Sequence, residues 1–578
     1  MLAEDKYATH SESSARCTCD VPSHNYTYSF EPKHDWTNVY ASSAEIKTYF
    51  ADFAQEYGLH KFIKLSHRMQ MARWSEKDGQ WHVQVDNLAT GETIQNSCHI
   101  LIHACGYLNK PSWPEIPGID DYRGKKLHSA DYDETISLQG KEVILIGNGS
   151  SAAQILPTIQ PVVKHVKIFI RSPLWLLPDI SSDQRPFTPE EIEKFVQNPN
   201  ATIKLRKLNE TTMNSIFSVY LRDSVLQAQS RELLQSQMKK ILNNEYLEEK
   251  LIPSFAVGCK RVVPSGFRYL KALLKENVTI VHGAVGSFVE TGCTSEDDTV
   301  HPSEIIICAT GFDTSYIPRY PIIGPNNRNM QEEWASSLDS YMGVAASEFP
   351  NMFMFLGPYS PVSNGPTLVA IANVTNLPIP ETQADYILSF IDRYQTEPIH
   401  SLAPKAAAVD EFKAHVATFM GRAVWSDACR SSHNNHTVNG RVPTTWPGST
   451  LHYLEAMREQ RADDWKIVYK GNRFSWLGNG ISQTEWDPTS DLAYYIRDRD
   501  DGPWGSRWRK TAERSRSGTQ PRRELHRQLK LAAKNGAEKN MEDGRKKTDE
   551  SEQNGTIHHR ETGRDGHSWP HRVLAEDA

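Results

Sequence analysis

The chain has 578 residues, 38% hydrophobic and 23% charged, with 14 Trp and 22 Tyr. That length exceeds what one hydrophobic core fills, so two or three domains are expected. A net charge of -7 and a pI near 6.4 exclude a general nucleic-acid binder, which carries a basic field.

The opening MLAEDKYATHSESS has no apolar signal-peptide core, and no later run is long and apolar enough to span a bilayer. A soluble, cytoplasmic chain is expected. From Phe62 to Asn87 the pattern alternates around a polar turn at Lys77-Asp78-Gly79, which predicts antiparallel strands joined by a hairpin. HILIHACGY reads as a short buried strand ending at Gly106, and the Pro-rich NKPSWPEIPG after it marks a domain edge. From about 188 to 246 the pattern turns helical: TPEEIEKFV opens with a capping residue and acids in the first turn, and DSVLQAQSRELLQSQMKKIL has helical apolar spacing. VTIVHGAVGSFVETG and SEIIICATGF restore strand character. Beyond Asp500 the composition is too polar to offset the entropy of ordering, which predicts a disordered charged tail over 501–578. The eight cysteines are scattered, and the close pair Cys17 and Cys19 lacks a second pair to complete a zinc site. Free thiols in a reducing compartment and no metal are expected.

The informative stretch is KEVILIGNGSSAAQILPTI, Lys141–Ile159. A buried strand, VILI, leads into Gly147-x-Gly149-x-x-Ala152 and then a helix, which is the pattern of a dinucleotide clamp. Gly147 permits the tight turn, Gly149 lets backbone approach a pyrophosphate, and Ala152 allows close packing of helix on strand. The phosphates then sit on the helix N-terminus, in reach of Asn148, Ser150, Ser151, Ala153 and Gln154. The next strand ends in Arg171-Ser172, where an NAD site has an acid, so the cation suits the 2'-phosphate of NADPH. By contrast, Gly478-Asn479-Gly480 lacks the strand–turn–helix context and reads as a loop.

Upstream, DYRGKKLHSADYD places Tyr122, Gly124, His128 and Tyr132 in a pattern that resembles the F-x-G-x-x-x-H-x-x-x-W fingerprint of type I Baeyer-Villiger monooxygenases and their flavin-containing monooxygenase relatives. Other segments resemble that family in order: CDVPSHNYTYSFEPKHDW, ACGYLNKP, FAVGCKRVVPSGFRYLKAL, ICATGFDTSY, LGPYSPVSNGPTL and VPTTWPGSTLHYLEA. The resemblance covers about Cys19 to Arg497 and is closest to fungal members that tailor secondary metabolites such as polyketides.

The resemblance implies an α/β fold with two Rossmann-like dinucleotide-binding domains and a helical insertion. The FAD domain is discontinuous, over 1–135 and 313–500, with the NADPH domain inserted at 136–312. The family places a first G-x-G-x-x-G unit ahead of the CDVP segment, whereas this chain has no glycine before Gly58, so an N-terminally truncated FAD domain is expected. The implied cofactors are FAD and NADPH, and the implied partners are a small ketone and dioxygen, with oxygen inserted beside the carbonyl. Arg261 corresponds to the active-site arginine and Asp20 to the acid that holds it; Lys260 stands beside it. Tyr26, the backbone at Met69, and Gly106 correspond to flavin contacts, and His128 to a hinge residue at the cofactor or domain interface. Two departures are extra residues around Asn373 to Pro380 and Ser432 where the family has Trp beside the nicotinamide cofactor. Oxygenation at nitrogen or sulfur, and an inactive NADPH-binding homologue, remain as alternatives.

Overall fold

A computed structural model describes residues 2–3, 18–19, 21–133, 135–178, 185–263, 266–361, 378–431, 442 and 444–493. The predicted tail, Asp20, Ser432 and most of the Asn373–Pro380 stretch lie outside these residues. Near the N-terminus, β1 (His67–Ser75), β2 (Gln80–Asn87) and β3 (Thr93–Cys98) form an antiparallel ladder, with Gly79 at φ +64° closing the hairpin. Beneath it Trp74 and Trp81 pack 5.7 Å apart, and the Trp81 indole N–H donates to the Pro350 carbonyl at 2.8 Å. Next comes β4 (Leu101–His103).

The central layer is a five-stranded sheet. It comprises β5 (Lys125–His128), β6 (Glu142–Ile146), β7 (His165–Ile170), β8 (Val278–His282) and, after the meander β9 (Val285–Val289), β10 (Gly292–Ser295) and β11 (Val300–Pro302), the strand β12 (Ile305–Cys308). The order is β8-β7-β6-β12-β5, all parallel. The run VILI is buried on both faces because strand side chains alternate. Val143 and Leu145 point into a core with Leu156, Ile168 and Ile307, while Ile144 and Ile146 meet Phe169, Ile306 and Phe288 of the meander.

The helix α1 (Ser150–Ile159) follows β6 directly. The helical stretch contains α2 (Pro189–Gln197), α3 (Pro199–Asn214) and α4 (Val225–Leu242). Thr188 and Glu191 form a reciprocal capping box at the start of α2, as the acids in its first turn suggest. Leu234, Met238 and Leu242 of α4 enter the same core as α5 (Gly266–Leu273). At its other flank α3 touches the N-terminal segment: Asn25 Nδ2 donates to Glu210 Oε1 at 3.0 Å, and Asn209 Nδ2 donates to Asn25 Oδ1 at 2.7 Å.

Farther along, β13 (Met352–Met354) pairs in parallel with β4, α6 spans Pro378–Thr396, and β14 (Ile399–Pro404) pairs antiparallel with β15 (Trp465–Tyr469). Phe390 and Trp465, with ring centroids 4.2 Å apart, anchor the core between them. Gly478 and Gly480 lie in a loop with positive φ, as expected. No helix among the described residues is long and apolar enough to cross a membrane.

One expectation is overturned. Cys259 and Cys429 are joined by a disulfide across 170 residues of sequence, whereas Cys98, Cys105, Cys293 and Cys308 are free thiols. Scatter along the sequence said nothing about which cysteines meet in space.

Truncating the fully buried Trp81 removes its packing and strands the Pro350 carbonyl. Trp81→Ala is expected to cost about 3–5 kcal/mol and to lower the thermal unfolding midpoint by several degrees, read by circular dichroism.

Candidate cofactor site

The end of β6 turns sharply at Gly147, where φ is +120° and a Cβ would stand 2.4 Å from the Ala309 carbonyl oxygen. Only glycine fits there, because any side chain collides with the backbone at the end of β12. Two residues on, Gly149 caps α1 in extended conformation, and a Cβ built on it meets nothing within 4 Å. That open side lies against the first turn of the helix, where unsatisfied N–H groups favour an anion. Ser150 adds a hydroxyl that is buried and has no hydrogen-bond partner among the described residues. Ala152 and Ala153 are buried under the helix, which lets α1 lie close to the sheet; Ser151 and Gln154 are half-buried.

Asn148 is fixed on both ends. Its Nδ2 donates to the Ser172 carbonyl at 3.1 Å, and its Oδ1 accepts from the Tyr269 hydroxyl at 2.5 Å. Tyr269, buried in α5, was not legible as a site residue, since helical spacing marks it only as core.

Beside this turn three residues from distant positions converge. Arg171 and Ser172 follow β7, and Lys260 Nζ donates to Ser172 Oγ at 2.5 Å. Burial, and then the Arg171 guanidinium, bring the Lys260 ammonium down to about 8. Two cations next to an open helix N-terminus and an unpartnered buried hydroxyl fit a dinucleotide carrying an extra phosphate. The next residue, Arg261, is half-buried and lowers the otherwise burial-raised pKa of Tyr107 through its charge. Tyr107 stacks on Tyr316 with centroids 5.1 Å apart, and Gly106 before it has φ +67° with nothing within 4 Å of a built Cβ. Arg261 is thus near enough to Tyr107, just after β4, for its charge to be felt there.

The remaining sequence-derived residues fall elsewhere. Tyr26 is buried in an aromatic cluster with Trp36 and Tyr49. Met69 sits on β1 beside an irregularity in its pairing with β2. His128 is fully buried, and both ring nitrogens are engaged by protein: Nδ1 accepts from Ala130 N–H at 3.1 Å, so Nε2 carries the proton toward Thr310 Oγ1 at 3.3 Å. Thr310 in turn donates to the Ser112 carbonyl at 2.6 Å. Burial lowers the His128 pKa, consistent with a neutral ring that ties β5, the strand end at Thr310 and the Pro-rich linker together. No group of three or more His, Cys, Asp or Glu among the described residues is placed to hold a metal ion. Among the described residues β6–α1 is the one strand–glycine turn–helix unit.

These features define a dinucleotide-binding α/β protein. Residues 17–324 match the family described as flavin-binding monooxygenase-like, and the chain belongs to that family. It is 32% identical over 474 residues to the FAD-binding monooxygenase stcW of Emericella nidulans, covering 80% of this chain and 77% of that one. A Baeyer-Villiger monooxygenase of Pseudomonas aeruginosa is 27% identical over 457 residues, with 78% and 82% covered. The fold is similar to cyclohexanone monooxygenase from Rhodococcus sp. Phi1 bound to NADP+, with a TM-score of 0.67 at 21% identity, covering 81% of this chain and 94% of that one. An oxidized steroid monooxygenase bound to NADP gives a TM-score of 0.66 at 21% identity over the same shares. The mixed α/β architecture expected from the sequence is the one shared.

Gly147→Ala forces a side chain onto the Ala309 carbonyl in a left-handed conformation. It is expected to weaken NADP+ binding at least about tenfold, measured by calorimetric titration, while Gly149→Ala, with open space around it, weakens binding only by narrowing the anion cradle.

Proposed function

We propose that the chain is an FAD- and NADPH-dependent monooxygenase of Baeyer-Villiger type, acting on a ketone of fungal secondary metabolism such as a polyketide. The observation that carries this reading is the adjacency of Lys260 and Arg261. Lys260 bonds to Ser172 beside the glycine turn, and the charge of the next residue, Arg261, acts on Tyr107 after β4. A single loop thus serves both sides of a two-cofactor cleft.

In this reading Gly147, Asn148, Gly149, Ser150 and Ser151 hold the NADPH pyrophosphate on the first turn of α1. Arg171 and Lys260 neutralise its 2'-phosphate, with Ser172 orienting the Lys260 ammonium. When bound, FAD supplies the electron transfer and the activation of dioxygen that no side chain offers. Arg261, ionised at every working pH, stabilises the negative charge that develops on the substrate's carbonyl oxygen. Gly106 and Tyr107 border the flavin side, and His128 holds the linker rather than contacting cofactor. Asp20 is assigned to Arg261 by the family resemblance.

Three measurements test this. Protein supplied with FAD, NADPH, isotopically labelled dioxygen and a panel of ketones is expected to yield esters or lactones carrying one labelled oxygen; N- or S-oxides alone overturn the Baeyer-Villiger assignment. Arg261→Ala is expected to lower kcat by about 10²–10³-fold with NADP+ affinity nearly retained. The pH dependence has a defined sign. Lys260 loses its charge as pH rises through about 8, so the preference for NADP+ over NAD+ falls between about pH 7 and about pH 9. Lys260→Ala flattens that profile.

A further inference from the structure

The loop from Ser254 to Val263 has almost no regular structure, yet it carries Lys260 and Arg261. Its shape is imposed from three directions. The Trp175 indole N–H donates to the Phe255 carbonyl at 3.0 Å, and Val263 N–H donates to the Trp175 carbonyl at 3.0 Å. From α4, the buried Gln227 amide reads Val257 twice: its Nε2 donates to the Val257 carbonyl at 2.8 Å and its Oε1 accepts from Val257 N–H at 3.1 Å. Gly258, at φ +88°, lies so close to the Tyr220 ring that a Cβ would stand 2.7 Å from it.

The third direction is a strap from much later in the sequence, Ala423–Ser431. Trp425 stacks on Tyr220 with centroids 5.3 Å apart and planes inclined by 14°. Ala423 bridges Leu221, and the Asp427 carboxylate accepts from Ala256 N–H at 2.8 Å. Cys429 is bonded to Cys259, the residue immediately before Lys260. Both cysteines are buried, so this covalent tie is enclosed by the packing of strap and loop.

We propose that the Cys259–Cys429 bond, with Asp427, makes the strap a thiol-sensitive clamp that positions Lys260 and Arg261 for the two cofactors. This rests on the cofactor assignment of Lys260 and Arg261 made above. Reduction by a dithiol transfers two electrons: the sulfur–sulfur bond breaks, each sulfur gains a proton, and the dithiol closes its own disulfide. Because the bond is enclosed, the attacking thiolate reaches it only after the strap opens. Once the tie is gone, the backbone just before Lys260 keeps only its hydrogen bonds, and a displacement near 1 Å is enough to lose a large part of a positioned interaction. Cys259, Cys429 and Asp427 act through the loop and are positioning residues.

The test begins with thiol mapping on denatured protein purified without reductant. Peptide mapping after alkylation is expected to find Cys259 and Cys429 unreactive at first and reactive after dithiothreitol. Both reactive at the outset overturns the clamp. NADP+ titration of the native protein then reads positioning: dithiothreitol treatment that demonstrably breaks the bond is expected to weaken binding about tenfold. Cys429→Ser is expected to show the weakened affinity without reductant and no further change with it, and Cys98→Ser is expected to behave as wild type. An affinity that depends on Lys260, shown by Lys260→Ala, but ignores the state of the bond overturns the clamp alone. An affinity that ignores Lys260→Ala overturns the cofactor assignment and the clamp with it. Should Cys429→Ser fail to fold, the reduction of wild-type protein decides by itself.

Discussion

The constraint on which the site depends is the approach of Gly147 to the Ala309 carbonyl. It fixes how the ends of β6 and β12 meet, and therefore where the sheet changes direction. The order β8-β7-β6-β12-β5 places the first strand of the unit between its second strand and the returning β12. In open α/β sheets the crevice outside the carboxyl ends of the strands at such a reversal receives the ligand. The groups assigned to NADPH gather at that end: the turn after β6, the start of α1, the residues following β7, and Lys260, which bonds to Ser172 there. Chemistry is possible there because strand pairing has already satisfied the backbone below, while the first turn of α1 and the Ser150 hydroxyl are left in want of partners among the described residues.

Charge in the cleft is arranged by burial as much as by sequence. Lys260 is drawn down to about 8 by its burial and then by Arg171, so its charge fades as the pH rises past that value. Arg261 has no such sensitivity, since a guanidinium stays ionised in proteins. Adjacent positions thus carry one adjustable and one fixed cation, a division of labour that suits a phosphate on one side and developing oxyanion charge on the other.

Much of this was legible in the sequence where a local rule leaves no choice. The turn at Gly147, the capping box of Thr188 and Glu191, and the hairpin at Gly79 are each dictated by backbone geometry within a few residues, and each is found. Arg171, Ser172 and Lys260 could be named as site residues from the strand pattern and the family resemblance, but not the hydrogen bond from Lys260 to the Ser172 hydroxyl. What stayed hidden depends on long-range pairing: Cys259 with Cys429, Gln227 with Val257, Tyr269 with Asn148. Periodicity marks such residues as interior and says nothing of their partners. His128, expected at a cofactor or domain interface, bonds to the Ala130 N–H and Thr310, and Thr310 carries the tie on to Ser112 in the Pro-rich linker.

The helices between residues 189 and 242 look in the sequence like an appendage grafted onto a nucleotide-binding unit. In three dimensions the end of α3 bonds Asn25, and Leu221, just after it, bridges the strap at Ala423. They are thus a keystone between segments about 400 residues apart in the sequence. Modularity ends at this point: exchanging these helices as a cassette would also unseat the early and late segments that dock on them.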